Sequence, residues 1–427
     1  MTGAIELCLQ DVRDSIRFIL EGVLDGKELS WHEAVVLDTA KGRDLHALCL
    51  VADEMRRRQA GDEVSYVVNR NINFTNVCIK SCKFCAFARG VRSEQGYLLP
   101  LEEIVRRAEQ AVEWGASEVC IQAGLAPDLE ARTYLDICHA IKSALPNVHL
   151  HAFSPEEIKY GAKLADVPVR DYLRSLKDAG LDTLPGTSAE ILDDAMRAQI
   201  ARGRLTTDEW VEVITSAHEV GLRTSSTMMF GHRESSVQRM QHLDLLRTIQ
   251  KRTQGFTEFV PLSFVHEEAP LFLQESKSGV RPGPTGDDVI RLYAIARLML
   301  GATFRNIQAS WVKEGFRQAQ WLLHCGVNDL GGTLMNESIS TAAGASHGQL
   351  ATPATLRKLI RAAGRVPIQR NTTYGVVQRF ESVSTDPTDA LDTLENPDEV
   401  FGSYSSIVND PRFHYEPRGR RTLKIAN

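Results

Sequence analysis

From Ser65 onward the chain alternates between short apolar or β-branched runs and amphipathic stretches of about ten to twenty residues. Runs of this kind predict buried strands, and the stretches between them have the apolar spacing of helices. A strand followed by a helix, repeated along the chain, predicts parallel strands joined by crossover helices. Eight such runs occur within about 265 residues: Tyr66–Phe74, Glu118–Gln122, Val148–Phe153, Thr183–Leu184, Arg223–Thr227, Glu258–Pro261, Asn306–Gln308 and Gly326–Asn328.

Eight repeats within this length predict an α/β fold of the TIM type, a (β/α)8 barrel. A doubly wound open sheet has the same periodicity, because a repeat pattern does not show whether a sheet closes. The helices predicted between the strands include Leu101–Trp114, Leu129–Leu145, Val169–Ala179, Ala189–Ile200, Ser236–Gln250, Thr285–Leu300 and Val312–His324.

The sequence on either side of the repeats has a different pattern. Apolar residues recur at helical spacing up to about Lys27 and again from Trp31 to Gln59, whereas the sequence after Tyr374 is mixed and polar. We therefore predict N-terminal helices over 1–60, a barrel over 61–374, and a packed strap with a loose tail over 375–427.

Nearly every predicted strand ends in Gly, Asn, Ser, His or Pro rather than in further apolar sequence. In a parallel barrel the carboxyl ends of the strands form a single mouth, where catalytic groups collect. One polar end alone is ordinary turn chemistry, but eight together favour a functional rim. The strings are NFTNVC, QAG, HAFS, LPGTS, STMMFGH, PLSFVHEE, QASW and NDLGG.

Composition excludes several classes of protein. The apolar share of 43% is enough for a large core, and a net charge of −6 provides no general positive field for nucleic acid or an anionic membrane surface. The arginine runs at 56–58 and 418–421 are short, so we expect them to be solvated surface. No apolar stretch is long enough for a membrane span and the N-terminus lacks the features of a signal peptide, so we expect a cytoplasmic protein.

Three of the eight cysteines lie close together, with the spacing Cys78-x3-Cys82-x2-Cys85 in the loop after the first predicted strand. A structural zinc site and a ferredoxin cluster each normally need a fourth protein ligand, and no further Cys or His is nearby. A [4Fe-4S] cluster bound by three thiolates instead leaves one iron open to a small molecule. The other five cysteines stand alone and are interpreted as buried apolar residues.

With Phe84 before the third cysteine, this loop resembles the signature of radical S-adenosylmethionine (SAM) enzymes. The resemblance implies a (β/α) barrel, a [4Fe-4S] cluster whose open iron binds SAM, and reductive cleavage of SAM to a 5′-deoxyadenosyl radical. In that family the cysteines bind iron and aromatic residues flank the adenine. Longer strings narrow the resemblance: NRNINFTNVC, HLHAFSPEEI, LPGTSAEIL, FTEFVPLSFVHEEAPLF, NIQASWVKEG and NDLGGTLMNESISTAAGASHG.

Over about residues 10 to 370 these strings are similar to the 5-amino-6-(D-ribitylamino)uracil–L-tyrosine 4-hydroxyphenyl transferases, the tyrosine-using half of FO synthase. The family reaction breaks the Cα–Cβ bond of L-tyrosine and joins the 4-hydroxybenzyl group to C5 of the aminouracil, a step in making the deazaflavin chromophore FO of coenzyme F420. Such a reaction requires a dry cavity, a site for the amino acid's carboxylate and amine, and hydrogen-bond partners for the ribityl hydroxyls.

The resemblance implies roles for residues at the predicted strand ends. We expect the cavity's polar rim to bind both substrates, with His151 and Glu337 as the catalytic pair; Met228 and Met229 are expected to pack the barrel. The predicted iron ligands are Cys78, Cys82 and Cys85, the SAM-binding residues are Phe84, Phe87, Gln122, Ala123, Gly124, Glu190 and Arg204, and the substrate-binding residues are His266, Glu268, Asn328, Asp329, Asn336 and His347.

Partners follow from the same resemblance. Cleavage of SAM needs a low-potential electron donor such as a ferredoxin or flavodoxin, and FO also needs a separate ring-closing radical SAM enzyme of the CofG type. Two alternatives stay open from the sequence: a relative in menaquinone synthesis, either aminofutalosine synthase or dehypoxanthine futalosine cyclase, and a non-catalytic iron–sulfur carrier or sensor.

Overall fold

Parallel strands make up most of the sheet structure in the computed structural model, which describes residues 2–417. The strands of this range are β1 Glu63–Val67, β2 Asn69–Ile72, β3 Glu118–Ile121, β4 His149–Ala152, β5 Thr183–Leu184, β6 Arg223–Phe230, β7 Phe256–Ser263, β8 Asp329–Gly332, β9 Val366–Arg370 and β10 Val376–Arg379.

The strands close into a ring. Six of them pair in the order β2-β3-β4-β5-β6-β7, and the other four pair in the order β10-β9-β1-β8. Single parallel bridges, Phe259 to Ile307 and Gln308 to Asp329, connect β7 to β8. Because β1 and β2 are consecutive parts of one chain segment, separated only by Val68, the ring returns from β8 through β1 to β2. The predicted TIM-type barrel is confirmed.

Helices surround the ring, and many begin at a side-chain cap. Ser154, Thr206, Ser235 and Thr285 each accept a hydrogen bond from the third residue of the helix that follows, which satisfies a backbone N–H left free in the first turn. The helices are α1 Thr2–Leu9, α2 Asp14–Leu24, α3 Trp31–Leu37, α4 Arg43–Ala60, α5 Leu101–Glu113, α6 Thr133–Ala144, α7 Pro155–Ala165, α8 Val169–Asp178, α9 Asp194–Ile200, α10 Thr207–Glu219, α11 Ser236–Thr253, α12 Pro270–Glu275, α13 Gly286–Leu300, α14 Trp311–Leu322, α15 Ile339–Ala342, α16 Pro353–Ala362, α17 Pro397–Phe401 and α18 Tyr404–Val408.

The four N-terminal helices cover one side of the barrel. Helix α3 packs against α11 and α13, and α4 packs against α13. Asp38, just after α3, accepts hydrogen bonds from Arg239 of α11 at 2.6 Å and Arg291 of α13 at 3.3 Å. Arg56, expected in solvent, is instead fully buried and pairs with Asp53 at 2.7 Å, because α4 lies against the barrel on the face that carries it.

Two predicted strands differ from the structure. The run at 306–308 forms only the two single bridges, and β8 begins at Asp329, after the run predicted at 326–328. Asn328 lies in the connection between them, where its Oδ1 accepts hydrogen bonds from the amide of Ile307 at 3.0 Å and from Arg297 at 2.7 Å.

The C-terminal segment packs on the barrel. Strand β9 lies parallel to β1, and β10 pairs antiparallel with β9. The hairpin that β9 and β10 form spans the predicted boundary at residue 374. Farther along, Leu98 donates a backbone hydrogen bond to Phe413, and Tyr415 donates one to Gly96, each 2.9 Å long. Residues 375–417 thus reach the loop that carries the three cysteines, whereas residues 418–427 of the predicted tail, with the whole arginine run at 418–421, lie outside the described range. No helix in residues 2–417 combines the length and apolarity that a bilayer crossing requires.

Candidate active site

The barrel encloses a cavity of about 440 Å³ that runs from the cysteine loop down to the opposite end of the strands. All three clustered cysteines line it, together with side chains from β1 to β4 and from β6 to β8. A barrel interior is usually filled by layers of apolar side chains, so a cavity of this size with charged and polar side chains in its wall identifies the candidate active site.

The loop after β2 positions the three thiols. The amide of Cys78 donates to Arg89 O and that of Ile79 donates to Leu125 O, each at 2.9 Å, which fixes the first part of the loop against its surroundings. The amide of Cys85 donates to Cys82 O at 3.1 Å, which forms a tight turn between the last two cysteines. All three are half-buried free thiols facing one cavity.

This donor set fits a [4Fe-4S] cluster. Three thiols are available on one short loop, none of them is used in a disulfide, and the space beside them is open. Among residues 2–417 no three His, Cys, Asp or Glu side chains converge on a single ion position. A four-iron cluster does not require such convergence, since each thiolate binds a different iron.

Arg204 links the cysteine loop to two buried carboxylates. Its Nη1 lies 2.9 Å from Glu190 Oε1 and 3.7 Å from the sulfur of Cys82, and its Nε donates to Glu156 Oε2 at 3.1 Å. Glu190 has a backbone φ of 40°, in the left-handed region that side chains disfavour. The predicted SAM-binding residues Glu190 and Arg204 are therefore brought together at the cavity wall, beside the predicted iron ligands.

The segment Gln122-Ala123-Gly124 follows β3 and lines the same part of the cavity. The amide of Ala123 donates to Glu157 Oε1 at 3.0 Å, and Gln122 accepts from the Thr187 hydroxyl at 2.8 Å. A Cβ placed on Gly124 would lie only 2.3 Å from Val77 O. The small residue at 124 is thus required by contact with the cysteine loop itself.

The two predicted adenine-flanking rings lie in different surroundings. Phe84 is half-buried at the cavity wall, with the Arg204 guanidinium 5.8 Å from its ring centre. Phe87 is buried and contacts Tyr97 edge to face at 6.4 Å and Tyr404 at 5.7 Å. Tyr404 belongs to the C-terminal segment, so that segment supports the ring from behind.

His151 and Glu337 both line the cavity, on β4 and after β8. Nδ1 of His151 lies 2.8 Å from the hydroxyl of Thr183, and burial lowers the pKa of His151 to about 4, so its ring is neutral at physiological pH. Burial raises the pKa of Glu337, while the nearby Lys313 ammonium acts in the opposite direction. A neutral imidazole and a buried carboxyl therefore face the same space.

The six predicted substrate-binding residues lie outside the residues that line this cavity. Asp329 forms a bidentate ion pair with Arg370, at 2.6 and 3.1 Å, and Arg370 does line the cavity. Asn336 donates to the backbone oxygens of Phe401 and Gly402, which holds the C-terminal segment in place. The others are Asn328, which binds the backbone below the mouth, and His266, Glu268 and His347 on the outer rim.

Several cavity residues were not predicted. Glu118 and Glu258 lie within β3 and β7, and Arg370 comes from β9, beyond the eight predicted repeats. The signal for the first two was present, because a Glu inside a short apolar run is unusual for a strand buried on both faces. Glu157 was also missed, although its capping box with Ser154 marks the start of α7. Burial raises the pKa of Glu157 to about 7.

The model of the radical SAM superfamily matches residues 72–246, and the model of the CofH/MqnC C-terminal region matches residues 253–383. The 5-amino-6-(D-ribitylamino)uracil–L-tyrosine 4-hydroxyphenyl transferase of Methanothermobacter thermautotrophicus is 47% identical over 369 residues, which cover 86% of this chain and 99% of that protein.

Longer relatives match over part of their length. The FO synthase of Mycobacterium tuberculosis is 49% identical over 81% of this chain, and that of Streptomyces coelicolor is 48% identical over 83%. The chain spans about two fifths of the length of these FO synthases, 40% in both cases.

Solved structures show the same fold at low identity. The hydrogenase maturase HydG from Carboxydothermus hydrogenoformans is 17% identical, with a TM-score of 0.66 over 87% of this chain and 83% of that one. Methylornithine synthase is 18% identical, with a TM-score of 0.61 over 82% and 97% of the two chains. These two likenesses concern the barrel architecture alone.

Proposed function

The chain belongs to the radical SAM superfamily, within the family of 5-amino-6-(D-ribitylamino)uracil–L-tyrosine 4-hydroxyphenyl transferases, and on that premise we propose how its cavity performs the family reaction. The enzyme breaks the Cα–Cβ bond of L-tyrosine and adds the 4-hydroxybenzyl group to C5 of the aminouracil, a step in FO biosynthesis. The observation that carries this conclusion is the match to a protein of that name along nearly its whole length, together with three free thiols facing one cavity of the barrel.

Cys78, Cys82 and Cys85 would hold the [4Fe-4S] cluster. When bound, the cluster and SAM together would supply a 5′-deoxyadenosyl radical, which abstracts a hydrogen atom from a carbon or nitrogen atom. The protein's own contribution is to position the bound molecules and to exclude water. Most of the cavity wall is apolar, which suits the second requirement.

We assign the binding of SAM to the wall nearest the thiols. Phe84 offers a ring face to the adenine, and Phe87 supports that loop from behind. Glu190 and Arg204 offer a carboxylate for the ribose hydroxyls and a guanidinium for the methionine carboxylate. The segment Gln122, Ala123 and Gly124 lies at the end of β3, where its backbone closes the same part of the cavity.

His151 and Glu337 are proposed to handle protons. The Nδ1 atom of His151 is engaged by Thr183, which leaves Nε2 as the ring nitrogen that can exchange a proton with substrate. Glu337 lies near Lys313, and this pair of opposite charges suits the amine and carboxylate of an amino acid. The residues predicted to bind substrate are given indirect roles. Asp329 holds Arg370 in place, and Asn328 and Asn336 hold nearby backbone groups. His266, Glu268 and His347 line the route into the mouth.

Two protein partners belong to the proposal. A low-potential ferredoxin or flavodoxin would supply the electron for cleavage of SAM. The long FO synthases match this chain over only two fifths of their length. We propose a ring-closing radical SAM enzyme of the CofG type as the partner that completes FO.

The test is an anaerobic product assay by mass spectrometry with reconstituted, reduced enzyme. Tyrosine, the ribitylaminouracil and SAM together should yield 5′-deoxyadenosine and the tyrosine-derived adduct of the aminouracil. Turnover of a menaquinone precursor in place of this pair would assign the chain to the aminofutalosine synthase or futalosine cyclase branch. Absence of 5′-deoxyadenosine with every substrate would indicate an iron–sulfur carrier or sensor.

A further inference from the structure

The closed end of the cavity carries ionisable side chains instead of the usual apolar layer. Glu118 is the first residue of β3 and Glu258 the third of β7, so both lie at the end of the barrel away from the thiols. Arg370, at the end of β9, lies between them and pairs with Asp329. We call Glu118, Glu258, Arg370 and Thr372 the floor cluster; all four are buried, and all line the cavity.

The floor cluster has hydrogen-bonding capacity that the protein leaves unused. Glu258 is 8% exposed, and its Oε2 has no hydrogen-bond partner among the described residues. The hydroxyl of Tyr374 is also buried without a partner, and the ring of Tyr374 lies over Arg370, 4.1 Å from the guanidinium carbon. Buried polar atoms are almost always paired in folded proteins, so unpaired ones beside a cavity indicate that a bound molecule completes them.

The chemistry of the cluster favours a neutral ligand rich in hydroxyl groups. Arg370 only donates hydrogen bonds. Glu118 stays ionised and accepts them, since the hydrogen bond from Asn69 at 2.8 Å and the charge of Arg370 lower its pKa despite burial. Burial raises the pKa of Glu258 to about 7, so near neutral pH it can donate as well as accept. Two carboxyls beside one arginine disfavour an anion, and a hydroxyl group, which both donates and accepts, matches every member.

Of the two substrates, only the ribitylaminouracil carries a chain of such hydroxyls. We propose that the floor cluster binds the ribityl chain, which places the aminouracil ring above it, toward the tyrosine and the thiols. This inference rests on the proposed function, because it names the subsite of one of its substrates. It also gives Asp329 a positioning role, since that carboxylate holds Arg370 at the floor.

The test compares two ligands on reconstituted holoenzyme under anaerobic conditions. Isothermal titration measures the affinity for 5-amino-6-(D-ribitylamino)uracil and for the 6-pentylamino analogue, which has the same chain length without hydroxyls. Wild-type enzyme should prefer the ribityl compound. In Glu118→Gln and Glu258→Gln this preference should fall by about tenfold, the size expected for the loss of one hydrogen bond to a buried polar group.

Matched variants separate this effect from general damage. Glu314 also has a pKa raised to about 7 by burial, but it accepts a hydrogen bond from Ser263 on another part of the barrel, so Glu314→Gln should keep the wild-type preference. Thr372→Val removes one hydroxyl at nearly constant volume and serves if either glutamate variant fails to fold.

An unchanged ligand preference in the folded floor variants would overturn the subsite. Equal binding of the two ligands by wild-type enzyme would overturn it as well. Either result leaves the proposed function intact if wild-type enzyme forms the adduct. If wild-type enzyme forms no adduct, the proposed function itself fails.

Discussion

Arg204 and Glu190 form a buried ion pair, Nη1 to Oε1 2.9 Å, and the same guanidinium nitrogen lies 3.7 Å from the sulfur of Cys82. Glu156 accepts from the Nε of Arg204 at 3.1 Å, and from the amide of Leu205 at the same distance. Arg204 is therefore shared by two buried carboxylates, each of which has one further cation nearby. Lys80 Nζ lies 3.0 Å from Glu156 Oε1, and Arg197 Nη1 lies 3.6 Å from Glu190 Oε2. The stability of this wall is thus tied to the predicted SAM site.

Replacing Arg204 by methionine should destabilise the apoprotein by about 2 to 3 kcal/mol, because Glu156 and Glu190 would lose a shared partner and keep only Lys80 and Arg197 as counter-charges. Adding Glu190→Gln to the variant should recover part of the loss. Arg204→Lys keeps the charge and should cost less than the methionine variant. Denaturant unfolding of the apoprotein measures all three, and a loss below about 1 kcal/mol for Arg204→Met would contradict the role of the pair.

Loss of one thiol should prevent assembly of the cluster. Cys82→Ala removes one of three proposed iron ligands, so anaerobic reconstitution should give little iron and sulfide and no cleavage of SAM. Cys120→Ala is the matched control, since that thiol lines the same cavity from β3 and should leave the iron content unchanged. A full complement of iron in Cys82→Ala, measured by metal analysis and electron paramagnetic resonance, would refute the ligand assignment.

The fold was largely predictable because each βα repeat carries its own local signal. The missed elements lack such a signal. Strand β10 is exposed along its whole length, and its pairing with β9 depends on a turn at Tyr374 with a positive φ. Strand β9 adds to β1 across about three hundred residues of sequence, and no local pattern indicates that pairing.

The site was predictable only in part. The spacing of the cysteines is a local feature of the sequence, so the loop and its cavity follow from it. A polar residue in a loop can bind a ligand or can bind the protein's own backbone, and the sequence does not separate these two roles. Asn328 and Asn336 bind backbone groups and do not line the cavity. Arg370 reaches the floor only through the non-local pairing of β9, so reasoning from local strings could not find it.

Adding a methyl group at Gly124 should displace the cysteine loop. The new Cβ would lie 2.3 Å from Val77 O, and because the atoms nearest to it are backbone atoms of Asn76 and Val77, little relaxation is possible. We expect Gly124→Ala to cost about 1 to 3 kcal/mol in the free energy of unfolding and to reduce cluster occupancy. Ala123→Gly, one residue earlier, is the control and should retain normal occupancy; equal behaviour of the two variants would contradict the packing argument.

Acid should destabilise the fold in part through His242. This ring is fully buried: the amide of Leu192 donates to its Nδ1 and its Nε2–H donates to Thr227 O, each at 3.0 Å, so the neutral tautomer satisfies both partners. Burial lowers the pKa of His242 from 6.5 to about 3. Between these values the unfolded chain binds a proton that the folded one does not, so the free energy of unfolding falls as the pH falls below 6.5.

Each such histidine should contribute a slope of about 1.4 kcal/mol per pH unit, or about 2 kcal/mol between pH 6.5 and pH 5. Denaturant unfolding between pH 6.5 and pH 5 should show that the free energy of unfolding of His242→Gln changes less with pH than that of the wild type, by about 1.4 kcal/mol per pH unit. The variant is expected to be less stable than the wild type at pH 7. His218→Gln should act in the same direction, because burial lowers the pKa of His218 to about 4. If both variants kept the wild-type dependence of the free energy of unfolding on pH, these rings would not be held neutral. The carbonyl of Thr227 and the amide of Leu192 would then not impose the neutral tautomer on His242.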